Sequence, residues 1–244
     1  TEKLQESFPE KQFIPIFWMA SEDHDFLEVN HVNIYNNKYE WKTEERGMVG
    51  DFNTKQVNKL IDDIFSVLGK SEYSENLMER LRICYDNHSL SESTRFLVNE
   101  LFGKYGIVIL DANDKDLKKK LIPIIKEDVI NQSLFPILSQ NTSENAKLYK
   151  TQANVREINF FKLSESNRTR IDGNISELEI EQHPERFSPN VLIRPLYQEM
   201  ILPNLAYIGG GAEISYWMQL KSIFKVQDIV FPVLVLRNSV MWIE

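Results

Sequence analysis

Cysteine is almost missing from this sequence: Cys84 stands alone among 244 residues. One thiol cannot make an internal disulfide framework or a cysteine-rich zinc site. Positive charge is also in deficit. The formal net charge of −8 argues against nucleic acid or an anionic membrane as the main partner, while leaving room for a local basic pocket. No apolar run approaches the roughly 20 residues of a membrane-spanning helix. The opening TEKLQESFPEKQ is too polar and too mixed in charge for a secretory signal, so a cytoplasmic globular protein is expected. Histidine is scarce as well. His24 and His31 are seven apart, two turns along one helix face, and lack the i, i+4 spacing of helical metal-binding pairs. A metal hydrolase built on Asp23, His24, Asp25 and His31 is therefore the weaker reading, and no metal is assigned.

What is present concentrates in two stretches. The first, FIPIFWMASEDHDFLEVNH (13–31), is an apolar strand running into ionisable residues. Ser21 is placed to cap a following helix, with Glu22 and Asp23 in its first turn, where acids suit the helix dipole. Solvated capping competes with a second reading, because the carboxyl end of a buried strand is the ligand side of an α/β sheet. The other stretch, FSPNVLIRPLYQEMILPNLAYIGGGAEISYWMQLK (187–221), sets Arg194, Gln198, Glu199, three glycines and Glu213 in an apolar frame. Polar groups buried in such a frame need partners, internal or ligand. Strand 205–208, glycines 209–211 and a helix over about 212–224 form an anion or nucleotide cradle. The triplet is short of a full dinucleotide fingerprint. Glu213 in the first turn opposes a phosphate and favours an ammonium or hydroxyl group.

Between them, GIVILD (106–111) reads as the clearest buried strand, with Asp111 at its carboxyl end and Asp114 as the cap of the next helix. Residues 54–68, 74–86 and 91–101 have helical spacing, with Cys84 a small buried hydrophobe. A short hairpin is expected over 36–50, and Lys118-Lys119-Lys120 reads as a solvated face. Residues 134–180 read as β-hairpins turning at Asp172-Gly173, and His183, before a proline, as structural. Strand 230–236 ends at Arg237-Asn238. Four strands interleaved with helices predict an open, largely parallel α/β sheet. The expected division is a core over 1–36, 105–133 and 187–244, a mostly helical insertion over 37–104, and a small β-rich insertion over 134–186. With Thr as first residue and an end inside the apolar pattern FPVLVLRNSVMWIE, the chain is expected to be a piece of something longer.

EDHD (22–25) and RPLYQEMILPNLAYIGGGAEISYW (194–217), with IPIFWMASEDHDFLEVNH, HPERFSPNVLIRPLYQE and FPVLVLRNS, resemble the bacillithiol-biosynthesis cysteine-adding enzymes along essentially the whole chain. The resemblance implies a Rossmann-like core related to class I aminoacyl-tRNA synthetases, interrupted by insertions. It also implies an upstream glycine-rich segment and a C-terminal coiled coil that pairs the complete protein as a homodimer. The implied reaction joins the carboxyl group of cysteine to the amine of glucosaminyl-malate, with ATP for activation. Under it, Glu22, Asp23 and His24 are the catalytic candidates. Asp25, Asn190, Arg194, Gln198, Glu199, Glu213, Tyr216 and Trp217 become candidates for substrate binding, and Gly209, Gly210, Gly211, Arg237 and Asn238 for nucleotide binding. Two departures stand out: no KMSKS-like lysine motif is visible, and a lone Cys84 gives no support to zinc-based selection of cysteine. The alternative is a nucleotide- or metabolite-binding accessory protein of the same pathway without catalysis.

Overall fold

The computed structural model describes residues 1–86, 88–164 and 166–241. They cluster into two units, 1–113 with 164–168, and 114–163 with 169–244.

In the first unit, a short helix α1 (Glu2–Ser7) precedes strand β1 (Ile16–Met19). Then come one helical turn α2 (Phe26–Val29) and the hairpin β2 (His31–Ile34) and β3 (Asn37–Glu40). The hairpin turns through Tyr35 and Asn36, both at positive φ, the two-residue geometry that matches strand twist. It lies one element earlier than the polar 36–50 segment suggested, because the turn is made by Tyr35-Asn36 rather than by the downstream charged run. His31 consequently opens β2, and the two-turn helix expected to join it to His24 does not form.

Helices α3 (Val57–Leu68), α4 (Glu72–Cys84) and α5 (Leu90–Phe102) follow, as the apolar spacing predicts. Ser71 and Ser89 each accept from the backbone N–H three residues on, fixing where α4 and α5 begin. Trp41, Val49, Phe52, Val57, Ile61 and Met78 form a buried cluster against these helices, and Phe26 packs edge-on to Trp41 at 5.0 Å. Cys84 is buried, and burial pushes its thiol up, as befits a packed hydrophobe. Strand β4 (Val108–Asp111) then pairs parallel with β1, Met19 opposite Asp111.

The second unit opens with α6 (Lys115–Lys119), capped by the Asp114 carboxylate, and α7 (Ile122–Ile125). A π-helical turn (Lys126–Ile130) leads to α8 (Leu134–Asn145). That helix corrects the β-rich expectation for this segment: Leu134, Leu138 and Asn141 are buried at i, i+4 and i+7, a helical stripe. Lys118 is likewise no surface residue. It is fully buried, its Nζ donating to the Phe187 carbonyl at 3.0 Å and lying 5.7 Å from the Tyr197 ring centre.

Strands β5 (Phe160–Leu163) and β6 (Arg168–Arg170) turn through Ser164 and Asn167 rather than at Asp172-Gly173, and helix α9 (Glu177–Gln182) comes next. Strand β7 (Phe187–Pro189) pairs antiparallel with β5. The remaining elements are α10 (Arg194–Ile201), β8 (Ala206–Gly209), α11 (Gly211–Trp217), α12 (Lys221–Val226) and β9 (Val233–Leu236). The single helix expected over 212–224 is thus two, separated at Met218–Leu220. Buried Gln219 sits there, its amide exchanging hydrogen bonds with both backbone groups of Ala153. β8 and β9 are parallel, Ala206 opposite Val233. The four strands of the expected open sheet thus occur, among the described residues, as two separate parallel pairs, one in each unit.

Two consequences are measurable. Gly50 approaches the turn after β1 so closely that an added Cβ would lie 2.5 Å from the Ser21 carbonyl oxygen. Gly50→Ala is expected to destabilise the protein by about 1–3 kcal/mol, read as a lower urea midpoint; an unchanged midpoint would show that this turn yields freely.

Asp128, fully buried on the π-helical turn, has its carboxyl pushed up by burial to about 6, against hydrogen bonds from Asn159 that pull it down. An unfolded aspartate titrates near 4, so between roughly pH 4 and 6 the folded state holds the extra proton and stability falls as pH rises. Asp128→Asn has no such charge. Its stability relative to the parent should improve by about 2–3 kcal/mol between pH 4 and pH 7; a difference independent of pH contradicts the assignment.

Candidate functional site

In the first unit, polar groups gather where β1 and β4 end. The backbone N–H groups of Val49 and Gly50 donate to the carbonyls of Asp23 (2.8 Å) and Ser21 (3.0 Å), drawing the 47–51 loop onto residues 20–24. The Ser21 hydroxyl donates to Asp111 Oδ1, which also accepts from the Asn113 N–H at 2.9 Å. Ser21 is therefore no helix cap. Residues 21–25 form a turn, and α2 begins only at Phe26, with Asp25 at its N-cap position, exposed and making no side-chain cap. Asp23 closes the turn, its Oδ1 accepting from the N–H of His24 (2.6 Å) and of Asp25 (3.2 Å), with Arg168 at 3.8 Å. Glu22 is buried at 5% exposure.

His24 Nδ1 lies 3.1 Å from the Glu22 carbonyl, and its buried Nε2 meets no partner among the described residues. Burial lowers the imidazole pKa, favouring the neutral ring. Asp51 joins the cluster with its carboxyl pushed up by burial and by the Asp111 charge. Sequence reasoning left Asp51 and Arg168 out, since neither belongs to a motif, and noted Asp111 without giving it a role. Among the described residues, no three His, Cys, Asp or Glu side chains are arranged to hold a metal ion.

In the second unit, α10 and the β8–β9 pair assemble a network around Glu213. Its Oε2 accepts from the Gly210 N–H at 2.8 Å, and its Oε1 accepts from the Tyr207 hydroxyl at 2.8 Å. Arg194 Nη2 lies 3.6 Å from Oε1 and donates to the Tyr216 hydroxyl at 2.5 Å. Burial, then the bond to Glu213, pushes the Tyr207 phenol up, so it stays a donor. Tyr207 sat inside an apolar strand and gave no signal in the sequence.

Four residues after Arg194 on the same helix, and so on the same face, comes Gln198. Gln198 Nε2 donates to Glu199 at 3.2 Å, and Asn204 Nδ2 donates to the same oxygen at 2.7 Å. Burial moves the Glu199 carboxyl up to about 7, against the pull of those bonds, so it changes charge near neutral pH.

Three candidate roles change on this geometry. Trp217 is 1% exposed, stacked on Tyr207 with ring centres 4.3 Å apart; it is core, out of reach of a substrate. Asn190 spends its side chain internally: Oδ1 accepts from the N–H of Leu192 (2.9 Å) and Ile193 (3.2 Å), and Nδ2 donates to Asn159. The glycine turn, finally, does not fit the phosphates of a nucleotide. Its Gly210 N–H already donates to the Glu213 carboxylate, and the helix it starts has only seven residues. The Arg237 side chain lies beside Gly210, its backbone N–H donating to the Gly209 carbonyl at 2.9 Å, while Asn238 is exposed.

A family model described as "Bacillithiol biosynthesis BshC, N-terminal Rossmann-like domain" matches residues 1–238. Relatives named "Putative cysteine ligase BshC" include one from Flavobacterium johnsoniae, 43% identical over 99% of this chain and 49% of its own length. The relative from Cytophaga hutchinsonii is 36% identical over 95% of this chain and 46% of its own length. That of Staphylococcus saprophyticus is 29% identical over 100% and 51%. The chain spans about half the length of these relatives. Its two parallel strand pairs, each with ionisable groups at the carboxyl ends, agree with a Rossmann-like origin. The chain belongs to the BshC family of bacillithiol biosynthesis, to its N-terminal Rossmann-like domain.

Proposed function

We propose that the whole protein is a carbon–nitrogen ligase that joins the carboxyl group of cysteine to the amine of glucosaminyl-malate, the last step of bacillithiol formation. Arg194 carries the reading. A guanidinium set against Tyr216 and Glu213 at the end of a parallel strand pair is a binding group for a carboxylate, and malate supplies two. Tyr207 and Gly210 keep Glu213 turned toward that guanidinium, which limits its rotation before substrate arrives. Gln198, on the Arg194 face of α10, is placed for a sugar hydroxyl, with Glu199 orienting its amide. Within the first unit, Glu22, Asp23 and the neutral His24 are the proposed proton-handling groups.

Amide formation from a carboxylate needs activation, and ATP is the proposed co-substrate on that chemical ground. No residue of this chain is assigned to it, since the glycine turn is closed by Glu213. A core like that of the class I aminoacyl-tRNA synthetases and a homodimeric, cytoplasmic complete protein belong to the same proposal. For location, the structure adds only that no described helix is long and apolar enough to cross a membrane.

The test uses the full-length protein with cysteine, glucosaminyl-malate and ATP, following bacillithiol by mass spectrometry alongside AMP and ADP. Product with AMP is expected, with kcat/KM lowered about 100-fold in Arg194→Ala, the size of losing one side of a charged hydrogen-bonded contact. Product with ADP would replace an acyl-adenylate by an acyl-phosphate. No product with any nucleotide would overturn the ligase and leave an accessory binding protein.

A further inference from the structure

Among the described residues of the second unit, two ionisable side chains are fully buried, Lys118 and Asp128. Asp128 is fully buried on the π-helical turn, in surroundings where an apolar side chain would pack without the cost of taking a carboxyl group from water. Its two oxygens accept from the backbone N–H (2.5 Å) and the Nδ2 (3.0 Å) of Asn159, itself only 1% exposed. Asn159 immediately precedes β5, and Asn190 immediately follows β7. The antiparallel register that sets Phe160 opposite Pro189 therefore brings these two asparagines together. They meet twice: Asn190 N–H donates to the Asn159 carbonyl at 2.8 Å, and Asn190 Nδ2 donates to Asn159 Oδ1 at 2.9 Å.

From Asn190 the line runs straight to the binding group. Its Oδ1 caps the N–H groups of Leu192 and Ile193, and its carbonyl accepts from the Arg194 N–H at 2.9 Å. The start of α10 is thus held by an uninterrupted set of hydrogen bonds from a buried carboxyl group. Arg194 is the first residue of that helix. Buried polar groups joined in this way rigidify what they hold, and a π-turn inside a helical run is a common mark of a functional position.

We propose that Asp128 is a positioning residue for Arg194, acting through Asn159 and Asn190 to fix the N-terminus of α10. The inference rests on the reading that Arg194 binds a carboxylate of the acceptor. A misplacement of the guanidinium by about 1 Å weakens acceptor binding by ten- to a hundredfold while leaving the other substrate untouched.

Steady-state kinetics of the full-length protein test it, with Asp128→Ala and Asn190→Asp, each made in the parent and in an Arg194→Lys background. Asn190→Asp is the milder cut. Aspartate accepts from the N–H groups of Leu192 and Ile193 as well as asparagine does, but it faces Asn159 Oδ1 with an acceptor in place of a donor. In the parent, both substitutions should raise KM for glucosaminyl-malate about tenfold, with kcat and KM for cysteine within about twofold. With Arg194→Lys the same substitutions should move that KM by less than about twofold, since the group they position is gone.

Equal effects in both backgrounds, or parallel losses in kcat and both KM values, would make Asp128 a merely structural residue and leave the role of Arg194 standing. An Arg194→Lys variant with unchanged KM for glucosaminyl-malate would overturn the carboxylate reading and the relay with it. If Asp128→Ala does not fold, Asn190→Asp decides alone.

Discussion

The Glu213 carboxylate holds three elements of the second unit at one point: the glycine turn through the Gly210 N–H, strand β8 through Tyr207, and helix α10 through Arg194. Its energy as an ion pair is small, because both side chains are about one-third exposed and 3.6 Å apart. Its importance is geometric. A carboxylate already bonded on both oxygens cannot rotate away, so the guanidinium it faces is presented in one orientation. The same bonds set a carboxylate at a glycine-rich strand-to-helix turn, where glycine, strand and helix order alone would suggest a phosphate.

The first unit applies a different device at an equivalent place. Gly50 has no side chain because the Ser21 backbone occupies that space, and the resulting close approach encloses Glu22 and His24 at the end of β1. Cluster and network both stand where a parallel strand pair ends, the side on which α/β sheets collect ligands. That placement reflects polypeptide direction and not any one chemistry. The assignment of a ligase therefore rests on family membership and on the particular groups present, above all Arg194.

Legibility in the sequence followed the periodicity. Helices α3, α4 and α5 and strands β1, β4, β8 and β9 could be read because their apolar spacing is regular and capping serines or turns bound them. Helix α8 was missed although Leu134 and Leu138 carry a helical spacing, since the β-like runs downstream dominated the segment. Lys118 could not be recognised as buried, because nothing in a run of three lysines shows which one faces Phe187 and Tyr197.

For the site, the residue types were legible and their partners were not. Arg194, Glu213 and Tyr216 were singled out and do meet. Tyr207, Asn159 and Asp128 were not, because each acts through a side-chain partner that only the folded chain brings near. Trp217 was the opposite error, an aromatic next to polar residues that turned out to be core.

The central claim is that Arg194 recognises a carboxylate of the acceptor. Calorimetric titration of the full-length protein, parent and Arg194→Lys, with glucosaminyl-malate and with a methyl glucosaminide lacking the malate would test it most directly. The account predicts that the parent prefers the malate compound by about a hundredfold, and that Arg194→Lys loses most of this preference with little change for the methyl glucosaminide. Equal weakening of both ligands would contradict it and return Arg194 to a purely structural part.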